Sequence, residues 1–175
     1  MPTIISHPAV LMAFYPAFRK FQFTPTILIA AAICSIAPDF DVIGFQFGIR
    51  YGDLLGHRGL THSIFFALVL SAVVTFGIQH TQKFATFIFL FLCTLSHGIL
   101  DAFTNGGLGI AFFPPFSNTR YFFPWRPLEV SPIGVFDFLS GPAFSVLASE
   151  LKFIWIPCGL IFVIGRGLKW RNTKQ

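Results

Sequence analysis

The sequence predicts an all-α, polytopic membrane helical bundle with about three to five membrane-embedded helices and one long ordered loop. Three observations lead to this fold class: a mean hydropathy of +0.72, a charged fraction of only 11%, and long apolar runs between short polar turns. Soluble domains carry roughly 25% charged residues, so this composition excludes an ordinary soluble protein. Because no linker or low-complexity tract divides the 175 residues, we expect residues 1–175 to form a single membrane-embedded domain.

Two apolar runs are long enough to cross a membrane. Residues 60–79 and 84–103 each provide about 20 residues, which at about 1.5 Å per residue span a hydrocarbon core of about 30 Å. A third span is predicted over residues 153–168, which are apolar and precede a basic tail. The runs at residues 5–18 and 24–37 have only about 14 residues each, so they are either tilted crossings or partly buried, re-entrant helices.

The basic residues predict an orientation for these spans. If all five runs cross, seven of the twelve Lys and Arg lie close to span ends on one side, which the positive-inside tendency makes cytoplasmic. The formal charge of +5 does not indicate nucleic acid binding, since no basic stripe with interleaved aromatic residues is present. The residues that define the cytoplasmic side are Arg19, Lys20, Lys83, Arg166, Lys169, Arg171 and Lys174.

The opposite side then collects all seven acidic residues and four of the five histidines; only His80 falls in a turn on the basic side. Charged and imidazole side chains are expensive to place at a membrane unless they pair or bind an ion. Imidazole and carboxylate are also the ligands that zinc accepts in proteins. The sequence therefore predicts a metal site on the non-cytoplasmic face.

Two motifs supply carboxylates to this face. In "SHGILDAF", His97 and Asp101 stand four residues apart, so both side chains project from one face of the predicted helix; a hydrogen-bonded pair between helices is the alternative. In "APDFDVIGF", Asp39 and Asp41 follow Pro38, which ends a helix. These alternate carboxylates are able to ligate a cation, but helix capping or simple solvation would also explain them.

The stretch "HRGLTHS" at residues 57–63 supplies two further imidazoles. His57 and His62 are five residues apart, which does not align them on one straight helix. We therefore expect His57 in a loop, Gly59 in a tight turn and His62 in the first helical turn, with both rings converging from different directions. His7, which precedes an apolar run, is the weakest candidate. The predicted metal ligands are His7, Asp39, Asp41, His57, His62, His97 and Asp101.

Residues 104–152 form a long loop rich in Pro, Gly and aromatic residues, a composition that favours an ordered cap. Arg120 and Arg126 lie in it, and arginine offers a planar fork suited to phosphate or carboxylate. Anchoring to lipid headgroups or pairing with Glu129 would explain them equally well. The three cysteines lie inside apolar runs and form no CxxC pair, so we interpret them as packing residues.

Taken together, the motifs resemble those of the YdjM/YbcI-like inner-membrane metal-dependent hydrolase family. The resemblance covers roughly residues 5–165 and rests on His7, the PDxD at residues 38–41, HRGxTHS at 57–63, HxxxD at 97–101 with the following "TNGG", and "PFSNTRYFFPWRPLEVSP". It implies a bacterial inner-membrane protein of largely undefined substrate. The family is distantly similar to zinc-dependent phospholipases C and single-strand-specific zinc nucleases. Those enzymes use a further downstream HxxxE or HxxxD, and no histidine follows His97 here, which argues against three metal ions.

The resemblance implies hydrolysis of a phosphoester, with lipid-linked substrates as one option and esters or amides as others. One or two Zn²⁺ ions, or Mn²⁺, would activate water. The candidate catalytic residues are Asp39 as general base and Arg58, Arg120 and Arg126 as groups that stabilise phosphoryl charge. The expected partners are membrane lipids and no nucleic acid. A non-catalytic scaffold with a structural metal and a metal transporter are the competing classes, although residues 64–76 and 84–95 lack the ionisable path of a transporter.

Overall fold

In the computed structural model, residues 1–78 and 80–172 are described, with side chains described through residue 167. Gln79, Lys174 and the side chains of Lys169 and Arg171, which entered the predictions above, lie outside this set. The described residues form helices, turns and loops without a β-strand, which confirms the all-α prediction. The α-helices are α1 (Val10–Phe18), α2 (Pro25–Ile36), α3 (Ile64–Gly77), α4 (Lys83–Ala102), α5 (Val135–Leu139), α6 (Ala143–Glu150) and α7 (Ile156–Asn172).

Three helical segments among the described residues are long and apolar enough to cross a membrane, namely Pro25–Phe47, Lys83–Ala102 and Ala143–Gly167. The first and the last are composite. Helix α2 continues as a 3₁₀ helix over Ala37–Phe47, and α6 passes through a π-helical stretch, Leu151–Trp155, into α7. The short run at residues 24–37 is therefore one part of a longer segment.

The helix predicted over residues 60–79 is shorter in the structure, because α3 has only 14 residues. At about 1.5 Å per residue, such a helix is about 21 Å long. A 3₁₀ turn over Leu60–His62 precedes the helix. The hydroxyl of Ser63 then accepts a hydrogen bond from the backbone amide of Phe66 at 3.0 Å. This N-cap fixes the beginning of the helix after the two histidine-bearing turns.

Helix α4 lies at the centre of the bundle and packs against α2, α3 and α1, while α1 also packs along α7. The core around α4 contains Ile27, Phe89 and Leu90, all fully buried. Cys34 and Cys93 pack in the same core and Cys158 in the smaller core near α1, and all three are free thiols. The prediction that the cysteines are packing residues is confirmed.

The long loop is ordered by backbone pairing across it. The amide of Asn105 donates to the Leu128 carbonyl at 2.9 Å, and that of Ile110 donates to the Tyr121 carbonyl at 2.8 Å. The loop then enters α5 and α6. This arrangement confirms the predicted ordered loop, whose last part is the start of the long C-terminal helical segment.

The helix ends that carry the histidines and aspartates meet at one end of the bundle. Gly98 permits this close approach, because a Cβ at that position would lie 2.9 Å from the His62 carbonyl oxygen. The glycine thus lets the Leu60–His62 turn pack directly against the C-terminal half of α4, beside His97.

Candidate metal centre

Helix α4 supplies two fully buried groups, His97 and Asp101, which share one helical face as their spacing predicts. His97 Nδ1 lies 2.8 Å from the carbonyl oxygen of Ser35. A carbonyl can only accept, so Nδ1 carries the proton and donates it. When the ring is neutral, Nε2 therefore carries no proton, and its lone pair is free to bind a metal ion.

His97 Nε2 faces the other members of the site. It lies 3.2 Å from Asp39 Oδ1 and 3.1 Å from His62 Nε2. Two ring nitrogens this close require a proton or a cation between them. One donor atom from each of Asp39, His62, His97 and Asp101 lies within 4.8 Å of all the others, and we refer to these four residues as the four-residue cluster.

Several polar atoms in and around the four-residue cluster are buried without a hydrogen-bond partner. They are Oδ2 of Asp39, both carboxylate oxygens of Asp101, Nε of Arg58 and both ring nitrogens of His7. Leaving such an atom unsatisfied costs about 1–3 kcal/mol, and more when it is charged. A divalent cation would satisfy the carboxylates, and two imidazoles with two carboxylates suit the coordination chemistry of zinc. The residues present therefore fit the implied metal.

His7 lies at the edge of the four-residue cluster. Its ring stacks on that of His97 with 3.7 Å between centroids, and its Nε2 is 3.8 Å from Asp101 Oδ1. Burial, together with the adjacent His97, lowers the pKa of His7 to about 3. The imidazole is thus neutral at physiological pH, with both nitrogens free of partners.

Asp41 differs from Asp39 because its oxygens are already occupied. Oδ1 accepts from His57 Nδ1 at 2.7 Å, while Oδ2 accepts from Thr61 Oγ1 at 2.7 Å and from the Arg58 amide at 3.2 Å. Oδ2 also lies 3.3 Å from His62 Nδ1. Asp41, His57 and His62 do form a second group able to hold an ion, but the contacts of Asp41 favour orienting the two rings.

The histidines of the HRGLTHS stretch approach each other from different directions, as the sequence predicts. The ring centroids of His57 and His62 are 5.4 Å apart and the planes are nearly perpendicular, at 88°. Between them, a Cβ at Gly59 would collide with the Leu54 carbonyl, so the tight turn requires glycine. Arg58 adopts the left-handed conformation, with φ of 64°, which is uncommon for a residue other than glycine.

The three candidate arginines occupy different places. Arg58 is fully buried, with Nε 3.3 Å from Asp101 Oδ2, so its charge offsets a carboxylate of the four-residue cluster. Arg120 donates to the His57 and Tyr51 carbonyls at 3.0 and 3.1 Å and thereby supports the loop behind His57. Arg126 is exposed, with its guanidinium 4.8 Å from the Phe122 ring centroid.

The pKa of His62 reflects the charges that surround it in the site. Burial lowers the pKa of this imidazole, but its contacts with Asp101, Asp39 and Asp41 outweigh burial and raise the pKa to about 10. The three carboxylates therefore favour positive charge at the position where their oxygens converge. A proton on His62 provides that charge when no metal is bound.

Sequence reasoning missed the group that holds the segment before His7. Glu150 is fully buried and accepts from Ser6 Oγ at 2.7 Å, from Thr3 Oγ1 at 2.6 Å and from the Thr3 amide. Trp155 Nε1 donates to Ser6 Oγ at 2.8 Å. A single acid inside the apolar run at residues 143–167 was the available signal.

Two cavities lie beside the site. The larger, of about 450 Å³, is mostly apolar and reaches Asp39. The smaller, of about 280 Å³, is lined by His57 and Tyr51. Both include Met1 and residues 131–133 in their walls.

Apolar helices of membrane-spanning length, joined to a buried histidine and aspartate cluster, define a polytopic helical membrane protein with a candidate metal centre. The chain belongs to the YdjM inner membrane protein family, whose sequence profile matches residues 1–173. It is 34% identical over 177 residues to the inner membrane protein YbcI of Escherichia coli strain K12, across 99% of this chain and 100% of that protein. The family predicted from the motifs is confirmed. No solved structure matches the chain.

Proposed function

We propose that the protein is a metal-dependent hydrolase that acts on a phosphoester at the membrane. The observation that carries this proposal is the convergence of four His and Asp donor atoms next to buried carboxylate oxygens that lack hydrogen-bond partners. Asp101 Oδ2 lies 3.3 Å from Arg58 Nε, but Asp39 Oδ2 and Asp101 Oδ1 are left without a donor, whereas a purely structural polar network would pair them. Zinc is the preferred ion for such ligands, with manganese as the alternative.

Asp39, His62, His97 and Asp101 would hold a divalent metal, which when bound would supply Lewis-acid chemistry, lowering the pKa of water towards about 7 and polarising a phosphoryl group. The chain's own groups prepare the site around it. The Ser35 carbonyl holds His97 with Nε2 inward, and Asp41 holds His62 from its Nδ1 side. Such hydrogen bonds fix the tautomer and the orientation of a ligating histidine.

Asp39 is suited to two roles. Its Oδ1 faces His97, as a ligand would, while Oδ2 has no hydrogen-bond partner and the residue lines the larger cavity. A carboxylate at the boundary between cluster and cavity is placed to accept a proton from water as a general base. His57, with Nδ1 bound to Asp41, lines the smaller cavity and keeps Nε2 for a second proton transfer.

The arginines divide their roles by location. Arg58 offsets the charge of Asp101, and Arg120 holds the loop that carries His57. Both contribute to transition-state stabilisation through the residues they position. Arg126 is exposed and remains the candidate for direct contact with a phosphoryl oxygen, where a guanidinium fork forms strong paired hydrogen bonds.

A non-catalytic scaffold with a structural metal is the second candidate. It is favoured by the number of protein donors in the four-residue cluster, since four ligands complete a tetrahedral structural site, whereas catalytic zinc keeps one position open. Metal transport has less support, because residues 64–76 and 84–95 in the middle of two helices contain no Asp, Glu, His, Lys or Arg, the residues that would form an ion path.

The site belongs, in this proposal, to the non-cytoplasmic face of a bacterial inner membrane. Arg19, Lys20 and Lys83 lie at the other ends of their helices, and positive residues favour the cytoplasm. Reporter fusions after residues 81 and 118 should report opposite sides, with residue 81 inside. Two cytoplasmic reports would contradict this orientation.

Hydrolysis is tested with metal-loaded protein in detergent against phosphomonoesters, phosphodiesters and lipid-linked phosphates. We expect one class to be cleaved, cleavage to stop with chelator, and Asp39→Asn to lose it while His80→Ala keeps it. Cleavage of carboxylic esters or amides alone would make the substrate class wrong. Failure with every class, together with a metal whose coordination positions are all filled by protein, would establish the scaffold.

A further inference from the structure

We infer that the larger cavity binds the apolar chain of the substrate, so that the substrate is a phosphoester carried by a membrane lipid. This inference rests on the proposed function and names the substrate class for the same site. It is argued from the lining of the cavity, from its connection to Asp39 and from the surfaces around it.

The cavity has the size and polarity of a site for an amphiphile. Its volume of about 450 Å³ lies within the range of roughly 300–1,000 Å³ that is typical of small-molecule sites. The walls include Ile5, Phe40, Ile133 and Leu147, and Asp39 is the one ionisable side chain among the lining residues. An apolar body with one polar end matches a ligand that consists of a hydrocarbon chain and a single polar headgroup.

The polar end of the cavity is also the edge of the candidate metal centre. Asp39 Oδ1 is 3.2 Å from His97 Nε2, while the same residue lines the cavity. A hydrocarbon chain in the cavity would therefore place its headgroup at the four-residue cluster. A water-soluble phosphoester would leave the apolar walls without a ligand group to cover them.

The surroundings favour entry from lipid. Two segments of membrane-spanning length contribute walls, through Phe40 of Pro25–Phe47 and Leu147 of Ala143–Gly167. Next to the cavity, Phe136 of α5 and Phe144 of α6 are 89% and 86% exposed. Short helices with large exposed aromatic side chains are typical of elements that lie in the bilayer interface.

The inference is tested by photolabelling with a long-chain alkyl phosphate that carries a diazirine near the end of its chain. Leu147→Trp would fill the cavity and should lower labelling about tenfold, because a hydrophobic pocket rejects an excess group of this size. Val135→Trp enlarges a second residue of the same lining, at the start of α5, and guards against a folding defect in the first variant. Leu160→Trp, at a comparably exposed position on α7 outside the cavity lining, is the matched control and should label like wild type.

Unchanged labelling in both cavity variants would overturn the inference, as would equal cleavage of short-chain and long-chain phosphoesters by wild type and Leu147→Trp. Those results would leave the proposed hydrolase intact. Loss of labelling in the cavity variants, in a protein that cleaves no phosphoester, would support the lipid site and count against the proposed activity instead. The two failures are therefore distinguishable.

Discussion

The two halves of α4 bury side chains of opposite chemical character. Phe89 and Leu90 in the first half are fully buried, and so are His97 and Asp101 in the second. Burying apolar area stabilises the fold by about 25 cal/mol per Å², whereas burying polar groups costs free energy unless they are paired. The first half thus explains why the bundle forms. The second half is compensated in part by Arg58 and Ser35, and a bound metal ion would compensate the remaining unpaired oxygens.

The largest effect is expected when the polar side chains in the second half of α4 are replaced. His97→Ala combined with Asp101→Ala should remove most of the zinc or manganese that copurifies with the detergent-solubilised protein, because two of four ligands are lost. Elemental analysis of the purified variant measures this. His80→Ala, which changes a histidine bonded to the Gln82 amide away from the cluster, should retain the metal. Unchanged metal in a folded double variant would exclude the pair from the site.

The ion pair beneath the cluster should give the next largest effect. Arg58→Met leaves Asp101 buried without its cationic partner, which typically costs about 3–5 kcal/mol of unfolding free energy. Chemical unfolding in detergent measures the loss. Saturating zinc should recover part of it, because the ion restores positive charge beside Asp101. A loss of the same size with and without zinc would mean that no ion binds there.

The different roles of the two neighbouring aspartates are open to a more sensitive test. Asp41→Asn keeps the shape of the side chain but cannot accept from all its present partners, so metal affinity should fall about 10–100-fold. Asp39→Asn should abolish high-affinity binding. Competition with a chromophoric chelator measures both. Equal losses would make Asp41 a ligand, as the sequence predicts.

The smallest effect is expected in the apolar half of the bundle. Ile27 is fully buried against the α4 core, and Ile27→Val should lower the free energy of unfolding by about 0.5–1.5 kcal/mol. Metal content should stay at the wild-type value, since no ligand is touched. Loss of metal from this variant would show that the apolar and polar halves of α4 are energetically coupled and do not act separately.

The spacing of residues in the sequence predicted much of the fold and part of the candidate site. The four-residue separation of His97 and Asp101 could be interpreted because a regular helix fixes the face that each side chain occupies. The helix predicted over residues 60–79 is too long, because a run of apolar letters does not reveal that Ser63 caps the helix. Mean hydropathy over a window does not locate the residue at which a helix starts, because capping side chains set that position.

The separate environments of Asp39 and Asp41 could not be predicted for a related reason. They lie in a 3₁₀ helix over Ala37–Phe47, in which about three residues complete one turn. Residues two apart therefore point in different directions, so the two carboxylates enter different networks. The role of Arg58 as partner of Asp101 was equally hidden, because the contact joins residues 43 positions apart and depends on the left-handed turn at Arg58.

The anchoring of the first residues by Glu150 has a consequence for how the protein is made. Ser6, which lies beside His7, is held by a carboxylate that lies 144 positions later in the chain. The position of His7 over His97 is therefore complete only after the C-terminal helical segment has been synthesised and inserted. Until then His57, His62 and His97 are present without His7 in its final position, so the arrangement of these four histidines is completed late in folding.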